Sequence, residues 1–267
     1  MTPSVPSFIS RYGPWALVTG ASEGIGQSFA HALARRGVNL VLVARRLTAL
    51  DELAGALARQ HGVQCKVIAA DLSTEAGVSA VVQGSTDIDV GLVVCSAGFG
   101  TAGPFLKSEL QDELNMLAVN CAAVTALSQA FGQRLAARGR GGLILLSSIV
   151  AFQGVARSAH YAATKAYVQT LAEGLGREWR ALGVDVLAVA PGPVSTSFAA
   201  RSKLTMGKAE SPDVAAEQSL RALGRRATVR PGILAKLLGY ALAVTPRWGR
   251  IRIMGAVMGG MTRHLGH

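Results

Sequence analysis

Short apolar runs alternate with helical stretches from residue 15 to about residue 192. Each run, of which WALVTG (15–20) is the first, is continuously apolar, as expected of a strand buried on both faces. The alternation predicts an α/β fold of three layers, in which right-handed crossovers build a parallel sheet with helices on both faces. The predicted strands are 15–20, 38–45, 64–72, 90–98, 142–148 and 184–192, and the predicted helices are 26–36, 47–60, 108–138 and 160–182.

The rhythm changes after Pro191. A loop leads to a helical stretch at 213–223, a possible last strand in RATVRPG (226–232) and an apolar segment, 233–244, too short to span a bilayer comfortably. No linker or internal repeat interrupts the chain, which predicts one domain over residues 1–267. Its expected parts are a nucleotide-binding and catalytic core (13–200), a substrate loop and helix (195–223), and a C-terminal strand with a basic apolar tail (224–267).

Composition narrows the class of protein. The chain has 267 residues, half of them hydrophobic, which is ample for a buried core. Its three cysteines, Cys65, Cys95 and Cys121, are scattered and fit neither a disulfide framework nor a metal site, so a reducing cytosol is expected. The first fifteen residues lack the basic-then-apolar layout of a signal peptide, which also favours a cytoplasmic location.

The net charge of +11 is concentrated at one end. From Gln218 onwards there is no Asp or Glu, while nine Lys and Arg residues fall there. The ordinary interpretation is a set of helices that cover the core and turn their arginines to solvent. The mixture of leucine, tryptophan and arginine also permits peripheral contact with an anionic membrane. Nucleic-acid binding is not expected, because stacking aromatics and a reading motif are lacking.

A glycine-rich turn joins the first strand to the first helix. VTGASEGIG places Gly20, Gly24 and Gly26 where the backbone can turn tightly and approach a pyrophosphate at the helix N-terminus. The spacing differs from G-x-G-x-x-G, and a tight turn without a ligand is the alternative. No Lys-Ser/Thr pair follows, so a phosphate-hydrolysing loop is not indicated.

The end of the second strand discriminates between dinucleotides. An acid there reads the 2′-hydroxyl of NAD, whereas an arginine reads a 2′-phosphate. VLVARR has Ala44 in place of the acid, followed by Arg45 and Arg46, which favours NADP(H). Ser22 is placed to bind the same phosphate. Asp71, after the third strand, is either an acceptor for the adenine amino group or a turn former.

Polar residues near the later strands suggest chemistry. Ser147 and Ser148 end the fifth strand, at the sheet edge where open α/β folds place ligands. Tyr161 and Lys165 are four residues apart, which puts both on one helix face. Asn120 lies in the apolar helical stretch 108–138. Each also has an ordinary interpretation as a cap, a helix-face residue or a buried structural amide. Tyr167 is expected to pack.

Taken together, these motifs resemble the short-chain dehydrogenase/reductases. The conjunction consists of TGASEGIG (19–26), Asn120, Ser148, YAATK (161–165) and APGPVST (190–196), in the family's order and spacing over roughly residues 13–200. The opening GPWALVTGASEGIG with VLVARR is most similar to the acyl- and steroid-type carbonyl reductases. The resemblance implies a Rossmann-type, doubly wound parallel sheet that binds NADP(H).

The resemblance also implies roles. Tyr161 would donate a proton to a carbonyl as hydride arrives from NADPH, with Lys165 stabilising the phenolate. Ser148 would bind the carbonyl oxygen, and Asn120 would hold a water that links Lys165 to a proton relay. The implied cofactor-binding residues are Gly20, Ser22, Glu23, Gly24, Ile25, Gly26, Arg45, Arg46, Asp71, Leu72, Ala97, Gly98, Tyr161, Lys165, Pro191, Gly192, Val194 and Thr196. The expected substrate-binding residues are Phe99, Ser148, Phe152, Gln153, Tyr161, Phe198 and Met206.

Two departures from the family pattern stand out. The usual Asn-Asn-Ala-Gly after the fourth strand is CSAG (95–98), and Cys95 there is best interpreted as a small buried apolar residue. The family's closing Asp-Gly-Gly is replaced by the basic tail, so the expected assembly is a homodimer through the helices at 108–138 and 160–182.

The expected activity is NADPH-dependent reduction of an apolar carbonyl compound, such as a ketone, an aldehyde or a 3-oxoacyl chain, or oxidation of the matching secondary alcohol. Arg201, Lys203 and Lys208 in the substrate loop (195–211) would suit an acidic carrier, although a solvated loop is the more ordinary explanation. Two alternatives remain: a non-catalytic NADP-binding regulator and a lipid-interface protein, both on the same fold.

Overall fold

A seven-stranded parallel sheet with strand order β3-β2-β1-β4-β5-β6-β7 forms the centre of the protein. The computed structural model describes residues 7–202, 204–205 and 209–265, without the side chains of residues 199 and 200. The strands are β1 (Trp15–Thr19), β2 (Asn39–Ala44), β3 (Cys65–Ala69), β4 (Val90–Cys95), β5 (Gly141–Leu146), β6 (Val184–Val189) and β7 (Thr228–Val229).

Helices cover both faces of this sheet. They are α1 (Phe8–Tyr12), α2 (Gly24–Ala34), α3 (Leu47–His61), α4 (Glu75–Gln83), α5 (Leu110–Leu117), α6 (Ala123–Arg138), α7 (Ala159–Glu178), α8 (Phe198–Arg201), α9 (Pro212–Ala222), α10 (Ile233–Ala243) and α11 (Arg247–Met261). One apolar cluster packs α2, α3 and α9 on one face, and a second packs α4, α6 and α7 on the other. The predicted Rossmann-type α/β architecture is confirmed.

The sheet reverses its direction of growth between β1 and β4. Chain order runs outward from β1 to β3 on one side and from β4 to β7 on the other. In such a sheet the carboxyl ends of the two central strands diverge and leave a crevice that binds ligands. The residues after β1 (from Gly20) and after β4 (from Ser96) therefore border the expected site.

Several predicted boundaries were wrong. The predicted strands 64–72 and 90–98 end at Ala69 and Cys95, because pairing with the neighbouring strands stops there while small apolar residues continue into the loops. Helix α4 was not predicted, since it is short and buries only Gly77 and Val81. Its start is fixed by Thr74, whose hydroxyl accepts from the backbone N–H of Gly77 at 3.0 Å.

The predicted helix 108–138 is interrupted. Helices α5 and α6 are joined by one π-turn, Ala118–Ala122, without a break in the helical path. By length and composition alone, this run (110–138) could cross a membrane. Its face formed by Leu127, Phe131 and Leu135 is buried against the sheet, as in the core helix of a globular domain.

Helices α10 and α11 form the C-terminal layer. Leu242, Met254 and Met258 pack on Ile149, Val150, Val155 and Ala162, beside the start of α7. The tail therefore covers part of the core, as its ordinary interpretation predicts. The same helices also turn large apolar side chains to solvent, which that interpretation does not include.

Candidate active site

The glycine turn is shaped by close backbone approach. Gly20 (φ +66°) and Gly24 (φ +59°) adopt left-handed conformations that favour glycine. A Cβ on Gly20 would lie 2.9 Å from the backbone N of Ala97, and one on Gly24 would lie 3.1 Å from the Thr196 methyl group. Helix α2 begins at Gly24, so its free N–H groups open onto the crevice. The turn therefore has the conformation and the N–H donors that an anion-binding cradle requires, and Thr196 borders it.

Thr19 supplies a brace that the sequence did not reveal. Its hydroxyl accepts from the backbone N–H groups of Ser96 (3.1 Å) and Ala97 (3.0 Å), and lies 3.5 Å from the carbonyl of Val94. The contacts tie the turn after β1 to the loop after β4. They hold Ala97 and Gly98 in place where the family's paired asparagines are missing. Cys95 is buried, as expected, and burial raises the pKa of its thiol to about 12, so it is not a nucleophile.

The two arginines after β2 have different surroundings. The Arg46 guanidinium bonds the Glu23 carboxylate at 3.0 Å and lies 3.4 Å from the Ser22 hydroxyl, which turns it towards the glycine turn. Arg45 is exposed and lies near Asp71. Asp71 accepts from the backbone N–H and the hydroxyl of Ser73, both at 2.9 Å. The Ser73 backbone N–H is the main cause that holds the pKa of Asp71 below its usual range. The turn-forming role of Asp71 is thus visible, and the buried Leu72 follows it.

Glu23 also reaches the substrate loop. Its second carboxylate oxygen forms an ion pair with Arg201 at the end of α8. The Glu23 carboxylate therefore connects Arg46, beside the glycine turn, with Arg201 in the substrate loop. Sequence reasoning missed this link, because Glu23 and Arg201 are far apart in the chain.

Tyr161 lies at the floor of the crevice. Its ring packs on Phe198, with the centroids 5.4 Å apart and the planes tilted by 46°. Burial raises the pKa of Tyr161 above its ordinary value near 10, and a side-chain hydrogen bond with Ser148 acts in the opposite direction. The phenol is therefore protonated at neutral pH and in contact with the Ser148 hydroxyl.

Lys165 is buried one helical turn further along α7. Its Nζ donates to the carbonyl oxygen of Leu146 at 2.8 Å and lies 5.7 Å from the centroid of the Tyr161 ring. Burial lowers its pKa to about 8. A partly desolvated cation thus lies next to the phenol, with N–H donors left for a ligand.

The structure separates the two adjacent serines. Ser147 donates to the carbonyl oxygen of Lys165 at 3.1 Å, so its hydroxyl braces β5 against α7. Ser148 accepts weakly from the backbone N–H of Val150, at 3.4 Å, and faces Tyr161. Ser148 is therefore the serine that is available to a substrate.

Asn120 is fully buried in the π-turn. Its amide exchanges two hydrogen bonds with the backbone of Phe99, at 3.1 and 2.9 Å, and donates to the Thr164 hydroxyl at 3.1 Å. Thr164 in turn donates to the Tyr161 carbonyl at 2.8 Å. A Cβ on Gly98 would lie 2.9 Å from the Asn120 amide oxygen and 3.3 Å from Lys165 Nζ. Asn120 thus joins the loop after β4 to the helix of the Tyr–Lys pair.

The segment after β6 borders the crevice from the other side. The Pro191 carbonyl accepts from Ile149 at 3.0 Å, and Gly192 faces Ala235 of α10. Val194 is buried, and the Thr196 hydroxyl accepts from the backbone N–H of Phe198 at 3.3 Å. Ile25, in the first turn of α2, is partly buried against the core.

The predicted substrate residues divide into two groups. The structure brings Phe99 to Asn120 through its backbone and Phe198 to Tyr161 through its ring. The Phe152 ring instead lies 4.6 Å from the Arg230 guanidinium carbon, and its contacts do not place it at Tyr161. Gln153 is buried: its amide nitrogen bonds Ile149, and its amide oxygen has no hydrogen-bond partner among the described residues. Met206 lies outside the described residues.

Comparisons with known proteins identify the relatives of this chain. The sequence profile of the short chain dehydrogenase family matches residues 14–207. A very-long-chain 3-oxoacyl-CoA reductase-like protein of Arabidopsis thaliana is 33% identical over 251 residues, which cover 90% of this chain and 80% of that protein. Among solved structures, a 7β-hydroxysteroid dehydrogenase superposes with a TM-score of 0.86 at 27% identity, covering 94% of this chain and all of the other. A short-chain dehydrogenase from Sphingobium yanoikuyae, in complex with NADPH, has a TM-score of 0.78 at 30% identity, covering 86% of this chain and 93% of the other.

Proposed function

The chain belongs to the short-chain dehydrogenase family of oxidoreductases, and we propose that it is an NADP(H)-dependent carbonyl reductase acting on an apolar ketone, aldehyde or 3-oxoacyl compound. The observation that carries this proposal is the contact of a protonated, partly buried Tyr161 with Ser148, one helical turn from the buried Lys165. The relatives that reduce 3-oxoacyl-CoA or act on hydroxysteroids support a bulky apolar substrate. We propose that the whole chain performs this function as a single domain.

The residues around the crevice fit a dinucleotide. The left-handed glycines and the start of α2 leave N–H donors for a pyrophosphate, and Gly20 must stay without a side chain because a Cβ there would clash with the backbone of Ala97. Arg46 and Ser22 would bind a 2′-phosphate, and Lys165 a ribose hydroxyl. When bound, NADPH supplies the hydride for reduction. Ala97 and Gly98 are small residues and would let the nicotinamide ring lie close to the sheet edge.

The protein's own residues then handle the proton and the developing charge. Ser148 donates a hydrogen bond to the carbonyl oxygen and orients it. Tyr161 gives its hydroxyl proton to that oxygen, because burial keeps the phenol protonated until charge develops. Lys165 stabilises the phenolate left behind. Asn120 positions the start of α7 through Thr164.

The cofactor preference gives the first test. We expect a screen of ketones, aldehydes, quinones and oxoacyl thioesters to find turnover with NADPH that exceeds turnover with NADH. Replacing Arg46 with Ala should raise KM for NADPH about 10- to 100-fold, because a charge-assisted contact to phosphate is lost, and should leave KM for NADH nearly unchanged. Arg45→Ala tests the second arginine, and Arg59→Ala, an exposed arginine of α3, is the control. Absence of NADPH binding would refute the proposed cofactor, and NADPH binding without turnover of any substrate would favour a non-catalytic regulator.

We also propose that the active form is a homodimer assembled through α5 and α7. These helices contact each other, and their outer surface exposes Leu114, Leu117 and Tyr167, with a groove of about 560 Å³ beside Tyr167 and Leu171. The expectation that Tyr167 packs inside the protein was wrong: it is exposed and shares a hydrogen bond of 2.5 Å with Thr125.

The dimer is tested by its mass in solution. Leu114→Glu should shift the sedimentation coefficient from dimer to monomer, since a carboxylate in an apolar interface is strongly unfavourable. Leu106→Glu changes a more exposed leucine outside these helices and should leave the mass unchanged. A wild-type monomer, or a dimer that both variants retain, would show that this face is not the interface.

A further inference from the structure

An apolar stripe runs along the outer face of α10. Ile233, Leu237, Tyr240 and Val244 occupy positions i, i+4, i+7 and i+11, which superpose on one side of a helix. Their exposed fractions lie between 64% and 86%. The opposite side, with Ala235, Gly239 and Leu242, is the one that packs on the protein. Helix α10 is thus apolar on both sides and presents its larger side chains to the outside.

The next helix, α11, adds further exposed apolar residues. Trp248 follows Val244 by four residues and is 66% exposed, and Ile253 and Val257 are exposed further along α11. A cluster of exposed aliphatic residues next to an exposed tryptophan exceeds what scattered surface hydrophobes explain and marks an interaction site. We call this surface, formed by Ile233, Leu237, Tyr240, Val244 and Trp248, the tail patch.

Cations lie on the same two helices as the tail patch, and the guanidinium carbon of Arg252 is 5.8 Å from the centroid of the Trp248 ring. Lys236, Arg247, Arg252 and Arg263 are exposed on the same helices and just after them, and none of the salt bridges found within residues 7–202, 204–205 and 209–265 involves them. No Asp or Glu occurs after Glu217 to neutralise them. The segment therefore combines exposed apolar side chains with positive charges that form no ion pair among the described residues.

We propose that the tail patch docks the protein on an anionic lipid surface, with the apolar stripe and Trp248 at the boundary of headgroups and acyl chains and the cations at the phosphate level. This is the arrangement of an interfacial amphipathic helix, in which apolar burial and attraction to anionic lipid add. The placement rests on exposure and charge and does not depend on the proposed reductase activity.

Other occupants fit less well. A second copy seated on the same face would bring two surfaces of like charge together with no acid in either tail. A nucleic acid would satisfy the cations but leave the five aliphatic and aromatic side chains of the tail patch against a polar partner, whereas such interfaces are strongly polar. Anionic lipid matches both components at once.

Co-sedimentation with vesicles tests the proposal on the full chain. Phosphatidylcholine vesicles that contain phosphatidylserine should pellet the protein, and pure phosphatidylcholine vesicles should do so much less. Arg247→Gln with Arg252→Gln should weaken binding about 20-fold, from roughly fivefold per cation, and Leu237→Gln with Tyr240→Gln by about tenfold or more. The matched controls, Arg59→Gln with Arg140→Gln and Leu106→Gln with Leu182→Gln, change exposed residues elsewhere and should bind as wild type.

A second measurement starts from the wild-type protein and needs only one conservative substitution. Trp248 is the most exposed of the three tryptophans, so anionic vesicles should shift the emission of the wild-type protein to the blue, and Trp248→Phe should abolish the shift. The proposal is overturned by equal pelleting of patch and control variants, by no binding to phosphatidylserine vesicles, or by a shift that survives Trp248→Phe. It is equally overturned if the patch substitutions change only the oligomeric mass, or only binding to a DNA or RNA probe.

Discussion

Tyr161→Phe should lower kcat/KM for carbonyl reduction by about 10²- to 10⁴-fold, the range for loss of a positioned proton donor. The ring remains, so its packing on Phe198 and the fold of α7 should be preserved. NADPH affinity should change little, because the cradle is formed by other residues. Initial rates of NADPH oxidation and a separate fluorescence titration of NADPH measure the two effects.

A matched control lies on the same helix. Tyr167→Phe removes a hydroxyl whose partner is Thr125 on the outer surface, and it should leave kcat/KM within about twofold. Equal activity of Tyr161→Phe and wild type would remove Tyr161 from the mechanism. Loss of NADPH binding in the same variant would instead show that the hydroxyl serves the cofactor.

Lys165→Met should abolish most of the activity and yet stabilise the protein. We expect a loss of about 10²-fold or more in kcat, since the phenolate loses its neighbouring cation. Burial moves the pKa of Lys165 from 10.5 to about 8, which corresponds to a destabilisation of roughly 3 kcal/mol below pH 8. Loss of the bond to Leu146 offsets about 1 kcal/mol of the gain. The melting temperature of the cofactor-free variant at neutral pH should therefore lie several degrees above that of wild type, because each kcal/mol of stability raises it by about 2–4 °C.

The pH dependence of this gain follows from the direction of the shift. Between the folded pKa, about 8, and the unfolded value, 10.5, the unfolded wild-type chain binds more protons than the folded one. The free energy of unfolding of wild type therefore rises with pH across that window. The advantage of Lys165→Met is complete below pH 8 and should shrink above it. A variant that is less stable than wild type at neutral pH would contradict the assigned burial cost, whereas Lys66→Met, which alters an exposed ion pair, should melt as wild type does.

The elements that position the site were accessible from sequence because their signals are local. Continuous apolar runs located β1 to β6, and the four-residue spacing brought Tyr161 and Lys165 to one helix face. The resemblance selects Ser148 over Ser147, and the structure adds a physical reason, because the Ser147 hydroxyl donates to the Lys165 carbonyl. The Glu23–Arg201 pair also escaped prediction, since nothing in either segment encodes a partner so distant in the chain.

The C-terminal tail shows a different limit of prediction from sequence. The sequence gives the number and sign of the charges in the tail, and the apolar residues in 233–244 predict that this segment is buried. The structure buries only one side of α10, because the sheet and α7 offer only one surface to pack against. Which apolar residues remain outside is a property of the packing geometry and cannot be obtained from hydropathy.

Because of the π-turn at Ala118–Ala122, the position of Asn120 depends on the number of residues in this segment. A π-turn holds one residue more than the regular helix would, so α5 and α6 are out of phase with each other by one position. Removing a single residue there would close an ordinary helical turn in the same space, so the residues of the former π-turn would change the helix face that they occupy. Asn120 would then leave the backbone of Phe99, although every side chain in the site would still be present. Insertions and deletions in this segment are thus as consequential for the site as substitutions, and an alignment that shifts a gap by one position here would assign the wrong residue to the amide.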